Sequence, residues 1–555
     1  MGKQSNRQLH KLAAYVCCCL LTASLHGIAH SQALAPVPLP SFAELEAAGA
    51  TIGEIRVLAQ DIFDTADPHE DKLLFRWANA LHMQTRPDVI RRSLLFKPGE
   101  PVSLRLIEET ERLLRSKRYL YDVELRPAAV HDGVVDIEVL TRDTWSLDPG
   151  FSLGRSGGSN SGGIRLHEYN LLGTGTAISL GHSRTVDRSS NELQFFGEHL
   201  LGGWTSVALS LASNSDGRRQ AVSIARPFYA LDTRWAAGVS ASKDERIDAF
   251  YNAGEISSQY RHQQDLAEVF AGWSDGLQQA WVQRFVLGLN LRDDRYAQAE
   301  GLTAPAPALF PRDEKLVTPF VRYSLIEDRF DRVLNRNLIG RPEYFALGLV
   351  SSVQLGYAST GLGSSLQGLV YAASVSRGFE PAARQTLIAS ATLSGQYVDG
   401  RVRRQQLGAQ VQYYLQQSPR WLFYAAATGA LQTNPEPVDA LLLGGDNGLR
   451  GYPLRYQSGS RSALFTVEER FYTDLYIWRL FRLGGAAFVD VGRAWGGVNT
   501  NSVNPGWLAD IGFGARIVSA RAAFSNVLHL DLAFPLNATA DIKKVQFLVK
   551  TKTSF

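Results

Sequence analysis

The feature that most constrains this chain is its C-terminal stretch of 411 residues, from Trp145 to Phe555, in which short alternating segments follow one another between turn residues. Alternation of apolar and polar residues with a period of two is typical of β-strands that have one dry and one wet face. Examples are ELQFFGEH, TSVALSLA and VQFLVKTKTSF, and the stretch holds about twenty-one such segments. No run of 18 to 20 apolar residues occurs in it, which excludes a helical membrane protein.

The last of these segments indicates which face is dry. Its polar face carries Lys550 and Lys552, whereas the opposite face is apolar or carries Thr. That opposite face consists of Val545, Phe547, Val549, Thr551, Thr553 and Phe555. A wet lumen and a lipid-facing apolar band explain this pattern, and bacterial barrels of this kind usually have an even number of strands. The sequence therefore predicts a transmembrane antiparallel β-barrel over residues 144–555, with a secreted protein of several β-sandwiches as the alternative.

The N-terminus predicts export. Lys3, Arg7 and Lys11 precede an apolar stretch and then small residues, which is the order of a signal peptide, placed here at residues 1–31. The formal net charge of +3 comes entirely from these three cations, so the rest of the chain is neutral and a nucleic-acid partner is excluded. All three cysteines lie inside the same segment, and the exported chain is expected to contain no disulfide.

Between the signal peptide and the barrel, the sequence predicts a linker and a small α+β domain. Residues 32–51 are rich in Pro and Ala without a clear period, which favours a linker. Residues 52–143 mix strand segments such as IGEIRVL and VVDIEVL with helical ones. Pro87 marks one helix start, and Ser103 is a candidate N-cap for the segment LRLIEETERLLR.

Several motifs of the barrel region resemble the BamA/TamA superfamily of outer-membrane insertases and translocases, including its surface-antigen barrel. LLLGGDNGLRGYPLRY, residues 441–456, resembles the family's lumen loop, with the Arg-Gly-aromatic tripeptide at Arg450, Gly451 and Tyr452. The family's usual Phe is replaced by Tyr at the third position. TVEERFY resembles the family's Glu-x-Arg-Phe strand, which places its Glu at Glu468.

The resemblance extends over nearly the whole exported chain. GGAAFVDVGRAW contains the family's Phe-x-Asp-x-Gly motif, whose Asp is Asp490 and whose Gly is Gly492. Residues 52–143 resemble one polypeptide-transport-associated (POTRA) repeat, although the segment DPHEDKLLFRWANALHM has no counterpart there. The resemblance implies sixteen strands, fewer than the count from the residues. It also implies that a terminal aromatic, here Phe555, is part of the signal that the outer-membrane barrel assembly machinery recognises.

The loop motif also has a physical interpretation of its own. A guanidinium inside a lumen is best held by a carboxylate in a forked geometry, so Arg450 is expected to pair with Asp490 or Glu468 and to pin the loop inside. Strand period places Glu468 and Asp490 on inward faces. Gly451 is expected to allow a sharp backbone turn beside Arg450. Alternatively, these charges merely line a wet surface.

Signals for catalysis are weak. The stretch GRSGG, residues 154–158, fits GxSxG, but a second strand follows where a nucleophile elbow needs a helix, so a turn is predicted. The histidines have no metal-ligand spacing, and neither a cofactor nor a metal is predicted. The chain is expected not to be an enzyme.

The resemblance implies a Gram-negative outer-membrane barrel that assists insertion or translocation of polypeptides, with the POTRA-like domain in the periplasm. The partners would be outer-membrane lipid and a polypeptide substrate or periplasmic protein. The POTRA-like sheet would capture an extended strand through main-chain hydrogen bonds. The alternative is a passive pore or structural anchor of the outer membrane, and a barrel enzyme is a more remote one.

Overall fold

The computed structural model describes residues 39–302, 304–307, 310–497, 506–520, 527–540 and 542–552. The side chains of residues 151–153 are not part of this description. The predicted signal peptide and Phe555 lie outside the described residues, so the predictions made for them stay predictions.

The N-terminal part is a small α+β domain of four helices and a three-stranded sheet. The helices are α1 (Phe42–Ala47), α2 (Leu73–Leu81), α3 (Pro87–Arg92) and α4 (Leu104–Arg115), and the strands are β1 (Thr51–Gln60), β2 (Leu120–His131) and β3 (Val134–Asp143). Strand β3 lies in the centre, parallel to β1 and antiparallel to β2. Pro87 begins α3 because its missing N–H is not needed in the first turn of a helix. Helix α4 buries Ile107, Thr110 and Leu114, which recur at helical spacing along one side.

The described part of the segment predicted to be a linker, residues 39–51, contains α1. Ser41 caps this helix reciprocally with Glu44, and Phe42 and Leu45 join the core of the domain. The sequence prediction missed this helix because it has only six residues and lies in an Ala-rich segment next to several prolines, where no helical period is visible. Only its capping box, Ser41 followed by Glu44, signals it in the sequence.

The remaining strands follow in chain order. They are β4 (Leu147–Ser156), β5 (Ser159–Glu168), β6 (Ala177–Arg184), β7 (Ser189–Gly197), β8 (Ser206–Asn214), β9 (Gly217–Arg226), β10 (Trp235–Asn252), β11 (Glu255–Gln278), β12 (Trp281–Ala297), β13 (Glu314–Glu327), β14 (Phe330–Leu334), β15 (Pro342–Ala346), β16 (Val350–Ala358), β17 (Gly368–Phe379), β18 (Gln385–Val398), β19 (Arg401–Gln416), β20 (Trp421–Thr433), β21 (Leu441–Leu443), β22 (Gln457–Gly459), β23 (Arg461–Ile477), β24 (Phe481–Trp495), β25 (Leu508–Ser519), β26 (Val527–Pro535) and β27 (Gln546–Lys552).

Twenty of these strands form one closed antiparallel barrel, and β14–β15 and β21–β22 form two separate hairpins. The predicted β-barrel fold is therefore confirmed. Twenty strands are close to the count of about twenty-one segments from the residues and exceed the sixteen implied by the resemblance. The GxSxG stretch forms the turn between β4 and β5, as predicted.

The outer surface of the barrel carries the apolar band expected in lipid. On β12, the outward-facing residues from Trp281 to Leu291 are apolar except for Gln283, and Asp293 follows them, a height of roughly 26 Å for ten residues in a strand tilted by about 40°. Asp293 pairs in register with Asp265 and with Lys315, so the charges form a row across neighbouring strands. Such a row is typical of the border between hydrocarbon and water. No helix within the described ranges is long and apolar enough to cross a membrane.

The N-terminal domain docks against one end of the barrel, here called the docked end. Arg105 of α4 forms an ion pair with Asp232 in the β9–β10 turn, and Glu109 accepts a hydrogen bond from the Leu231 amide at 2.7 Å. Burial in this interface raises the pKa of Glu109 above its ordinary value, although the Leu231 amide opposes the shift. Lys117 pairs in the same way with Glu198 of the β7–β8 turn. These contacts hold the domain directly beneath the barrel.

Both hairpins outside the barrel sheet fold into the lumen. The loop 434–460, with β21 and β22, enters from the far end, where β20 ends and β23 begins. The hairpin β14–β15 enters from the docked end, between β13 and β16. In the segment YFALGLVSSVQLGYA, residues 344–358, the first three residues end β15 and the last nine form β16. Alternation continues across the break, so periodicity alone did not separate them.

Candidate functional site

Arg450, at the tip of the lumen loop, is held by two carboxylates. Its Nε and Nη2 donate to the two oxygens of Asp490 at 2.7 and 2.9 Å, and its Nη1 donates to Glu468 at 2.8 Å. The guanidinium carbon lies 3.4 Å from the centroid of the Phe488 ring. A forked pair over an aromatic face is the geometry that arginine offers and lysine does not. Arg450 thus pairs with both of its predicted partners, Asp490 and Glu468.

The strand period explains why these groups converge. Thr466 of β23 pairs in register with Asp490 of β24, and Glu468 pairs with Phe488, so all four residues point inward from two adjacent strands. Thr466 also donates to Asp490 at 2.8 Å. The loop needs to supply only the cation, because the barrel wall already carries the acids and the ring.

The cluster is buried, and its energy depends on remaining complete. Arg450, Glu468 and Asp490 are all nearly inaccessible to solvent. Two charges taken out of water repay the cost of desolvation only when their hydrogen bonds are satisfied, and removal of one partner leaves an uncompensated buried charge. The arrangement therefore acts as a latch that holds the loop in the lumen.

Gly451 is required for close approach. Its amide donates to Asp510 of β25 at 3.0 Å, and a Cβ atom at this position would lie 2.7 Å from the Asp510 Cβ and 3.0 Å from the Pro535 nitrogen. The sharp turn predicted at Gly451 is made by its neighbours, because Gly448 and Leu449 have positive φ angles and Gly451 does not. The glycine is needed for space, and not for its backbone freedom.

The other two predicted residues support the loop in different ways. Tyr452 is fully buried, and its hydroxyl contacts the Ala509 carbonyl at 3.0 Å and Asn537 at 2.6 Å. Gly492, on β24, leaves room for the hairpin β21–β22, since a Cβ atom there would lie 3.2 Å from Leu443. The structure thus brings all six predicted lumen residues into or beside one cluster.

The hairpin β14–β15 meets the same cluster from the docked end. The Arg336 carbonyl accepts from Arg470 at 3.2 Å and from the Tyr472 hydroxyl at 3.1 Å. Arg470 in turn donates to Glu468 at 2.9 Å. Glu468 is therefore shared between the loop 434–460 and the hairpin β14–β15, here called the two plugging segments. Leu338 and Ile339 of the hairpin tip pack against barrel residues that include Tyr472.

The same hairpin reaches the N-terminal domain. Arg341 donates to the Leu120 carbonyl, at the start of β2, at 3.3 Å. A continuous set of contacts therefore runs from the sheet of the N-terminal domain through the hairpin and Glu468 to Arg450. The loop 434–460 and the hairpin β14–β15 are thus linked through Arg470 and Glu468.

Sequence reasoning missed two parts of this site. Asp510, in the segment DIGFGARI, lies in register with Asp490, and the sequence alone assigns it no role. The hairpin β14–β15 has a signal in the turn-forming stretch LNRNLIGRP between two strand segments. That stretch predicts a turn, but it does not indicate whether the hairpin points into the lumen or away from it.

The rest of the lumen holds a cavity of about 970 Å³. Hydroxyl and amide side chains such as Ser210, Asn290 and Gln354 line much of it. Among the described residues, no group of three or more His, Cys, Asp or Glu side chains is placed to hold a metal ion.

The barrel closes at a seam between its first and last strands, β4 and β27. In the described part of β27, only Val549 pairs with β4, at Arg155. By contrast, β27 pairs with β26 over seven residues, and β4 pairs with β5 over ten. Among the described residues, the junction of β27 with β4 therefore has fewer ladder pairs than either neighbouring junction.

Comparison with known proteins gives distant structural neighbours. No family model and no curated protein sequence matches the chain. Among solved structures, the chain is similar to BamA from Haemophilus ducreyi lacking POTRA domains 1–3, at 13% identity and a TM-score of 0.41, over 90% of this chain and 84% of that one. It is also similar to CdiB from Acinetobacter baumannii, at 13% identity and a TM-score of 0.43, over 98% of this chain and 96% of that one. The similarity to CdiB from Escherichia coli has 13% identity and a TM-score of 0.47, over 91% of this chain and 77% of that one. These similarities are distant, so a function must be argued from contacts within this chain.

Proposed function

We propose that this chain is an outer-membrane barrel that assists the insertion or translocation of polypeptides, with its N-terminal domain in the periplasm. The observation that carries the proposal is the seam, where one backbone pairing joins β27 to β4 in the described residues. Unpaired main-chain groups at a strand edge are complementary to another strand, whatever its sequence. A polypeptide is the class of substrate that offers such groups in series.

The N-terminal sheet supports the same proposal. In the described chain, no strand pairs with the outer edge of β2, so this edge can accept an extended segment of a client. The edge begins at Leu120, whose carbonyl contacts the plugging hairpin through Arg341. A client strand bound at the edge of β2 would therefore lie next to the hairpin β14–β15, which has to move before the lumen can open. The proposed mechanism needs no covalent chemistry, and the chain is proposed not to be an enzyme.

The two plugging segments argue against steady conductance. The loop 434–460 and the hairpin β14–β15 share Glu468 and occupy the lumen from both ends. The passive pore remains the second candidate because the cavity of about 970 Å³ beside them has hydroxyl and amide side chains in its lining, as well as charges of both signs such as Arg292 and Glu268, which small polar solutes could contact. A passive pore would conduct without the N-terminal domain, whereas a translocase would need it.

A disulfide across the seam tests the proposal. The variant Arg155→Cys with Val549→Cys places two thiols at directly paired positions, within the range that a disulfide spans. The matched control is Leu528→Cys with Thr551→Cys, across the β26–β27 ladder that is already continuous. Client polypeptides are first identified by photo-crosslinking from the outer edge of β2 in the intact chain.

Oxidation of the seam pair is expected to stop client insertion, and reduction is expected to restore it, with no effect on the control pair. If the locked seam leaves client insertion unchanged, the lateral route is refuted. If no polypeptide cross-links to β2 and the barrel conducts steadily, the passive pore takes its place.

A further inference from the structure

Helix α2 carries its apolar residues on the side that faces away from the protein. At 100° per residue, Leu73, Leu74, Trp77 and Leu81 fall within one stripe about 100° wide. The exposed fractions are 65% for Leu73, 62% for Trp77 and 72% for Leu81. An exposed stripe of this kind marks an interaction surface, because water is a poor environment for four large apolar side chains.

The opposite face of α2 is already occupied by protein. Phe75, which is 3% exposed, stacks on Phe63 with ring centroids 4.1 Å apart. Asn79 exchanges two hydrogen bonds with the backbone of Phe63, at 2.8 and 3.1 Å. The helix is therefore fixed in rotation, and its apolar stripe cannot turn inward without loss of these contacts.

The barrel wall fixes the position of α2. Arg479, in the β23–β24 turn at the docked end, lies 3.2 Å from Asp67 and 3.4 Å from Glu70, in the segment that precedes the helix. Leu480, the next residue of that turn, packs with the cluster that contains Phe75. Helix α2 thus lies beside the rim of the barrel.

The apolar band of the barrel reaches the same turn. Trp478 is 72% exposed, and Leu475 and Phe481 on either side of it are also exposed. On β24, outward positions are apolar from Val491 to Phe481. The exposed stripe of α2 and the lipid-facing band of the barrel therefore belong to adjoining surfaces that meet at residues 478–480.

We propose that the stripe of α2 binds the surface of the bilayer at the docked end, with Leu73, Leu74, Trp77 and Leu81 among the headgroups and upper acyl chains. In the orientation of the proposed function, this surface is the periplasmic leaflet of the outer membrane. Short amphipathic helices bind in the plane of a membrane interface in this way, and Trp is enriched at that depth. The helix thereby ties the N-terminal domain to the membrane as well as to the barrel.

The charges near the stripe specify the kind of lipid contact. Lys72 and Arg76 lie close to Asp67, Glu70 and Asp71, and Arg76 is paired with Asp71 at 3.4 Å. The segment has no net excess of cations to attract anionic headgroups. Binding is therefore driven by apolar burial, and it is expected to be alike in zwitterionic and anionic bilayers.

A lipid-quenching experiment tests this contact in the complete exported chain. A polarity-sensitive bimane dye is attached to Leu74→Cys on the stripe or, as the matched control, to Arg76→Cys on the polar side of the same helix. Both positions are exposed and two residues apart. Each protein is reconstituted in phosphatidylethanolamine and phosphatidylglycerol vesicles, with and without brominated acyl chains.

A blue-shifted emission and strong quenching by brominated lipid are expected at position 74 and not at position 76. Addition of Trp77→Ser to the Leu74→Cys protein is expected to reduce the quenched fraction, since the helix loses its largest apolar group. Equal quenching at both positions, no quenching at either, or a shielded dye at position 74 without lipid quenching would each overturn the proposal. Because no client is involved, the result is independent of the transport experiment.

Discussion

Replacement of Arg450 by Ala is the sharpest perturbation of the loop latch. The change removes three charged hydrogen bonds, but Glu468 keeps Arg470 and Asp490 keeps Thr466. The loss is therefore less than the sum of three such bonds and is set by the two buried carboxylates left behind, at about 3–5 kcal/mol for one broken buried pair. This free energy corresponds to an increase of roughly two to four orders of magnitude in opening of the loop.

The effect is expected to be local. With the unfolding entropy typical of globular proteins, a chain of about 500 residues loses only about 1 °C in Tm for each kcal/mol, so thermal melting would shift by a few degrees at most. Opening of one loop is better measured by hydrogen exchange, which reports regional free energies. The assay compares exchange of amides in residues 441–459 between the parent protein and Arg450→Ala, in the same detergent or nanodisc.

Two further variants separate charge from geometry. Arg450→Lys keeps the cation but not the forked contacts, and intermediate protection is expected. Arg450→Met combined with Glu468→Gln and Asp490→Asn removes the whole ionic set, and part of the protection should return because no buried charge is left alone. Unchanged exchange in Arg450→Ala would refute the idea that this cluster latches the loop.

Three other perturbations follow from the same site. Gly451→Ala places a methyl group 2.7 Å from the Asp510 Cβ, so loop exchange should accelerate by an amount equivalent to about 1–3 kcal/mol, and normal loop exchange would contradict the close-approach argument. Deletion of the hairpin 330–346, with a short Gly-Ser turn in its place, should give larger and steadier currents in planar bilayers, whereas unaltered conductance would show that the hairpin does not block the lumen. Tyr472→Phe removes one hydrogen bond to the Arg336 carbonyl, and hairpin exchange should rise by about fivefold, the equivalent of about 1 kcal/mol, with no change expected in residues distant from the cluster.

The class of fold and the inward acids could be predicted from residues near one another in sequence. Period-two alternation assigns Glu468 and Arg470 to one face of β23, and the same rule places Asp490 on the face of Phe488. The simultaneous pairing of Arg450 with both Asp490 and Glu468 could not be predicted in this way. It depends on the register of β23 with β24, which places Thr466, and not Glu468, directly opposite Asp490.

Features that depend on contacts between distant segments escaped prediction. The inward path of β14–β15 depends on the Arg336 carbonyl meeting Arg470, more than 130 residues away. The role of Gly451 depends on Asp510 and Pro535, which approach it only after closure of the barrel. In both cases the local sequence specifies a turn, and only packing specifies where the turn goes.

By itself, the sequence determined that the chain forms an antiparallel barrel with charged residues inside and apolar residues outside, because alternation along each strand is a local property of the backbone. The tertiary structure decided the closure at twenty strands, the pairing of β27 with β4, the meeting of two plugs at Glu468, and the outward stripe of α2. These features depend on strand stagger and on contacts between residues far apart in the chain, and no pattern within a single segment encodes either.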